Sequence, residues 1–137
     1  MARKVLSLFL GVGLLVSAAP LVAHHSVSAE FDTTKTVKFT GKVSGIAWGN
    51  PHIYTLVDAA DPATGKTVTF RVEGGPPNSL FRAGWRKDTL KIGETVTVTG
   101  NRAKNPASMN IGQATILTEK GVKVYSGNNP NAAAATP

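Results

Sequence analysis

The sequence predicts an all-β fold, a small OB-like antiparallel barrel of five to six strands with one short helix after strand three. Polar and apolar residues alternate with a period of two in several separate segments, which is typical of half-buried strands. One helical segment follows the third of them, near residues 78–85. An open antiparallel sandwich is the competing arrangement, and the position of the single helix favours the OB-type barrel.

The first predicted strand starts at residue 36 and changes phase within its length. Val37, Phe39 and Val43 alternate with polar residues, whereas Ile46 and Trp48 carry the apolar bulk further along. Such a change of phase beside Ser-Gly in a continuous strand indicates a β-bulge or a sharp bend.

The other elements follow from alternation and turn residues. Asn78 and Ser79 offer side-chain oxygens to cap the helix, and Gly84 is placed to end it. Further strands are predicted at residues 52–59, 67–73, 95–100 and 110–118, with a short return strand at residues 122–124.

The first 23 residues have the pattern of a signal peptide. Arg3 and Lys4 precede an uncharged apolar run at residues 5–16, and small residues lead to Ala23. That run is shorter than the roughly 20 residues that cross a bilayer. We therefore expect cleavage after Ala23 and a periplasmic or secreted protein without a membrane span.

Beyond this leader the chain divides into three parts. We expect an extended N-terminal arm at residues 24–35, a β-barrel domain at residues 36–126 and a disordered tail at residues 127–137. The tail lacks charge and periodicity, which is typical of disorder.

Composition excludes several classes of chemistry. The 137 residues contain no cysteine, so disulfides, thiolate metal sites and cysteine nucleophiles are excluded. Loss of the leader would leave 13 basic groups against 8 acidic ones. This balance favours anionic partners, but the charges are spread along the chain, and export argues against nucleic acid as a partner.

The three histidines indicate a metal site. They are His24, His25 and His52, and cleavage after Ala23 would make His24 the first residue. The α-amine and ring of a terminal histidine can chelate one metal ion, and a further imidazole completes a nitrogen set suited to copper. The alternative interpretation is that these side chains are solvated or bond within their loops.

A second hypothesis is a binding face. OB-type barrels bind oligonucleotides and oligosaccharides through aromatic and basic groups on strands two and three. Trp48, Asn50, Tyr54 and Arg71 would supply that face for a saccharide or a protein. An enzyme is the least expected class, because no spacing indicates a catalytic triad and no Gly-rich phosphate loop opens a helix.

Three motifs of the chain occur together: a His-His-Ser mature start, a Trp-x-Asn-Pro-His turn and an Arg-x-Gly-Trp helix end, here His24, His25 and Ser26; Trp48, Asn50, Pro51 and His52; Arg82, Gly84 and Trp85. In these motifs the chain resembles a family of small exported bacterial proteins known only as a domain of unknown function. The resemblance implies a periplasmic or secreted single-domain β protein, and it implies no activity.

Overall fold

A computed structural model describes residues 27–125 of the chain. The predicted leader at residues 1–23, His24, His25 and the predicted tail at residues 127–137 lie outside the described residues. Within residues 27–125 the fold is mostly β, with six strands and two short helical segments.

The strands fall close to their predicted positions. Residues 27–30 are helical, and β1 begins earlier than expected, directly after them. The bounds are β1 Phe31–Ala47, β2 Tyr54–Ala60, β3 Thr67–Glu73, α1 Pro77–Arg82, β4 Thr95–Ala103, β5 Asn110–Thr118 and β6 Lys123–Tyr125.

Strand pairing runs in the order β3-β2-β1-β4-β5-β6, and each neighbouring pair is antiparallel. β3 also pairs with β5 in parallel, through Arg71 with Asn110 and Val72 with Ile111. The Arg71 N–H donates to the Met109 carbonyl at 3.0 Å. Strand pairing therefore runs from β1 through β2, β3, β5 and β4 and then back to β1.

The change of phase in β1 corresponds to a real irregularity. Its register against β2 shifts between Val43 and Gly45, so the predicted bulge is confirmed. Val43 is buried on one side of the shift, and Ile46 packs against the core on the other. The bulge lets one long strand keep its apolar side chains inward along its length.

The core consists of the inward residues of the strands and one side of α1. Phe39 and Phe70 stack at 4.1 Å between ring centroids, and Val57 and Val72 are fully buried beside them. This burial of apolar surface is the main stabilising contribution to such a fold.

The helix differs from its prediction at its start, whereas Gly84 follows the C-cap residue Ala83 with a positive φ of 94°, as predicted for its end. Pro76, rather than Asn78 or Ser79, occupies the N-cap position, and no side chain caps the helix. Leu80 is buried, whereas Phe81 is 56% exposed and lies under the Arg86 guanidinium at 3.9 Å. Pro76 and Pro77 at the start of the helix have no backbone N–H, so fewer amide groups there need a capping partner.

An ion pair connects the β2–β3 turn to β4. Arg102 donates from Nη1 to Asp61 Oδ1 at 2.7 Å and from Nη2 to Oδ2 at 2.9 Å. Asp61 is 2% exposed. The hydrogen bonds from Arg102 and from the Ala63 amide lower the pKa of Asp61 to about 2. The pair therefore keeps its charges across the ordinary pH range.

Candidate functional site: a histidine–carboxylate cluster

His52 is held at the end of the β2–β3 ladder by backbone bonds. The Ile53 N–H donates to the Gly75 carbonyl at 3.2 Å, and the Gly74 N–H donates to the Ile53 carbonyl at 2.7 Å. Ile53 is 1% exposed, so its neighbour His52 faces outward, on the side that Tyr54 occupies in β2. The peptide bond before Pro51 in the preceding turn is cis.

On this outer side the His52 ring meets a carboxylate. His52 Nδ1 contacts Glu73 Oε1, and the two side chains are 32% and 17% exposed. Burial raises the pKa of Glu73, the charge of His52 opposes that shift, and the charge of Glu30 adds to it. Because Nδ1 faces Glu73, Nε2 is the ring nitrogen that does not face this carboxylate.

Glu30, near the start of the described residues, interacts electrostatically with the same Glu73 carboxylate. Asn110 Nδ2 donates to Glu30 Oε1 at 3.1 Å, and the Lys104 N–H donates to the Glu30 carbonyl at 2.8 Å. Lys104 Nζ also donates to the Ser28 carbonyl. We call His52, Glu73 and Glu30 the His52 cluster.

Tyr54 and Arg71 lie beside the His52 cluster on the outer face. The Arg71 guanidinium lies 4.5 Å from the centroid of the Tyr54 ring. Burial raises the pKa of Tyr54, the Glu73 and Glu30 carboxylates add to the shift, and Arg71 opposes it. These two members of the predicted binding face are therefore together.

The residues of the predicted binding face do not all lie together, because Trp48 lies on the other side of the sheet. Trp48 packs against the core, and its ring centroid is 6.5 Å from that of Trp85. Ala47 is the residue opposite Tyr54 in the ladder, so Trp48 follows on the other side of the sheet. Asn50 is exposed in the turn that leads to His52.

Glu73 is the site residue that the sequence did not single out. Glu73 ends a cleanly alternating strand as one more outward polar residue, and its partner His52 lies in the segment that precedes β2. Among the described residues, no group of three histidine, aspartate or glutamate side chains is arranged to hold a metal ion by itself.

The fold and the cluster define a small, mostly-β domain with a histidine–carboxylate pair on one face of its sheet. The chain belongs to a family of unknown function, DUF6152, which matches residues 12–123. The resemblance found in the sequence is confirmed by this match. No curated protein and no solved structure is significantly similar to the chain. No helix within residues 27–125 is long and apolar enough to cross a membrane.

Proposed function

We propose that this protein is an exported, non-enzymatic module that binds a transition metal, specifically copper, through His24, His25 and His52. The signal-peptide pattern supports a periplasmic or secreted location. We also propose that the domain is an OB-like barrel, and the parallel β3–β5 pairing supports that part of the proposal.

The contact between His52 and Glu73 carries the metal hypothesis. Histidine ligands in metal sites commonly donate their second ring N–H to a carboxylate, which fixes the tautomer and raises the basicity of the ligating nitrogen. The Nδ1–Oε1 contact has this arrangement. It would direct Nε2 of His52 toward a metal ion.

The location of Glu30 supplies the connection to the other two histidines. His25 precedes Glu30 by only five residues in the sequence. Since Asn110 and Lys104 hold the Glu30 segment, a terminal His24 would need to span only a short distance to His52. The α-amine and rings would bind in their neutral forms, with reference pKa values of about 8 and 6.5, so affinity would rise with pH.

The proposal is tested by intact mass of the exported protein, followed by copper titration with electron paramagnetic resonance. We expect a chain that begins at His24, one bound Cu²⁺ and hyperfine structure from nitrogen ligands. His52→Ala removes a ligand. Glu73→Gln removes only the orienting carboxylate and should weaken binding by roughly 10- to 100-fold.

Glu119→Gln is the matched control, because Glu119 lies exposed in the β5–β6 turn. It should bind copper as the natural sequence does. A mature chain that begins at another residue, or equal copper affinity in His52→Ala, would contradict the proposed site.

The alternative is an OB-like accessory that binds a saccharide or a protein through an aromatic and basic face. The stacking of Arg71 on Tyr54 favours it, whereas the packing of Trp48 against the core removes one of its expected members. Tyr54→Ala would then abolish glycan-array binding and leave copper affinity unchanged.

A further inference from the structure

A second concave site lies away from the His52 cluster, between the end of β1 and the segment that joins α1 to β4. It is an open pocket of about 490 Å³, within the range of small-molecule sites, about 300–1,000 Å³. Its apolar lining comes from Ile46, Trp48, Leu90 and Ile92.

The apolar lining includes a strongly exposed aliphatic side chain. Ile92 is 76% exposed at the pocket, whereas Leu90 on the same segment is 3% exposed. Trp48 also lines the pocket, and the centroid of its ring lies 6.5 Å from that of Trp85. A hydrophobic ligand placed here would cover Ile92 and the accessible part of Trp48, with a gain proportional to the apolar area removed from water.

The charged side chains of the pocket are mostly positive. Lys87 and Lys91 line it together with Asp88. Neither lysine amine has a carboxylate within 4.0 Å among residues 27–125, and both residues are exposed. Two ammonium groups beside an apolar surface complement a ligand with a hydrophobic body and an anionic head.

We propose that this pocket binds an amphipathic carboxylate of fatty-acid type. The aliphatic chain lies on Ile46, Trp48 and Ile92, and the carboxylate pairs with Lys87 and Lys91. A saccharide fits less well, because the lining offers few hydrogen-bonding groups to its hydroxyls. Cationic amphiphiles are disfavoured by the same two lysines.

The test is a fluorescence titration of the metal-free protein with dodecanoate below its micelle concentration. Trp48 and Trp85 are the two tryptophans of the chain, so the emission reports on this pocket. We expect saturable binding of dodecanoate, weaker binding of octanoate because less chain is covered, and much weaker binding of dodecylammonium.

Two variants locate the site. Ile92→Asp places a carboxylate at an exposed position and should weaken dodecanoate by at least about tenfold, as should the double variant Lys87→Glu with Lys91→Glu. Val122→Asp is the matched control for Ile92→Asp, since Val122 is 60% exposed on the β5–β6 hairpin. Lys66→Glu with Lys120→Glu is the matched control for net charge.

The proposal is overturned if dodecanoate does not bind, if dodecylammonium binds equally well, or if the pocket variants behave as their controls do. Binding of an acidic peptide without binding of the free carboxylate overturns it as well. His52→Ala should leave dodecanoate affinity unchanged, so this site and the copper site succeed or fail separately.

Discussion

At the scale of single residues, the ion pair between Asp61 and Arg102 is a two-point contact to a buried carboxylate. Arg102 makes two charge-assisted hydrogen bonds to a carboxylate that is almost fully buried. Removal of one partner from such a pair leaves the other charge buried and unpaired, which is strongly destabilising. The turn before β3 depends on this contact for its attachment to β4.

Asp61→Asn is therefore expected to lower the free energy of unfolding by on the order of 3 kcal/mol. The carboxyl has a folded-state pKa of about 2 against an ordinary value of 3.8. Since that pKa is lowered by folding, the stabilisation is present above 3.8 and is lost as the pH falls toward 2. Urea denaturation at a series of pH values measures it.

Asp88→Asn is the control, because Asp88 is exposed and should change stability by less than about 0.5 kcal/mol. A difference between Asp61→Asn and the natural sequence that stays constant from pH 7 to pH 2 would contradict the assignment of this pKa.

At the scale of elements, the start of β1 is held by a close contact with β5. Phe31 is 3% exposed, and a Cβ added at Gly112 would lie 2.6 Å from its ring carbons. Only glycine leaves room for the ring at that position. Because Phe31 directly follows Glu30, this contact also positions the carboxylate of the His52 cluster.

Gly112→Ala is expected to destabilise the domain by about 1–3 kcal/mol through overpacking. It should also shift the amide resonances of Glu30 and Phe31 in an NMR spectrum. Gly49→Ala is the control, because an added Cβ there meets nothing within 4 Å. Equal stability of the two variants would mean that the ring moves aside without cost.

The strands were the part of the fold that residue pattern could predict. Val68, Phe70 and Val72 alternate with polar residues, and β3 begins and ends where that alternation does. The start of β1 was missed because Phe31 is followed by polar residues, and its burial comes from Gly112, far along the chain. Glu73 was missed for the same reason, since no local pattern reports contact with a distant segment of the chain.

At the scale of the whole molecule, the parallel pairing of β3 with β5 decides the architecture. Without it β3 would be a free edge with unpaired N–H and C=O groups. The bond from the Arg71 amide to Met109 covers part of that edge. The helix position favoured a barrel over a sandwich, but the pairing of β3 with β5 itself was not predicted, because no single residue encodes it.

The Arg71 amide is therefore expected to resist hydrogen exchange as the amides of the β1–β4 ladder do. Two-dimensional NMR in deuterated water measures the exchange rate residue by residue. The Thr69 amide provides a comparison within the same strand. Exchange of the Arg71 amide at the rate of an exposed loop would show that the β3–β5 edge opens readily in solution.

The hydrogen bonds from Lys104 to the Ser28 and Glu30 carbonyls have a practical consequence for recombinant protein. Any foreign peptide left upstream of His24, such as a purification tag or a start methionine, would project from this anchored point beside the His52 cluster. Under the proposed cleavage after Ala23, it would also replace the free α-amine of His24. Purification tags should therefore be placed at the carboxyl terminus.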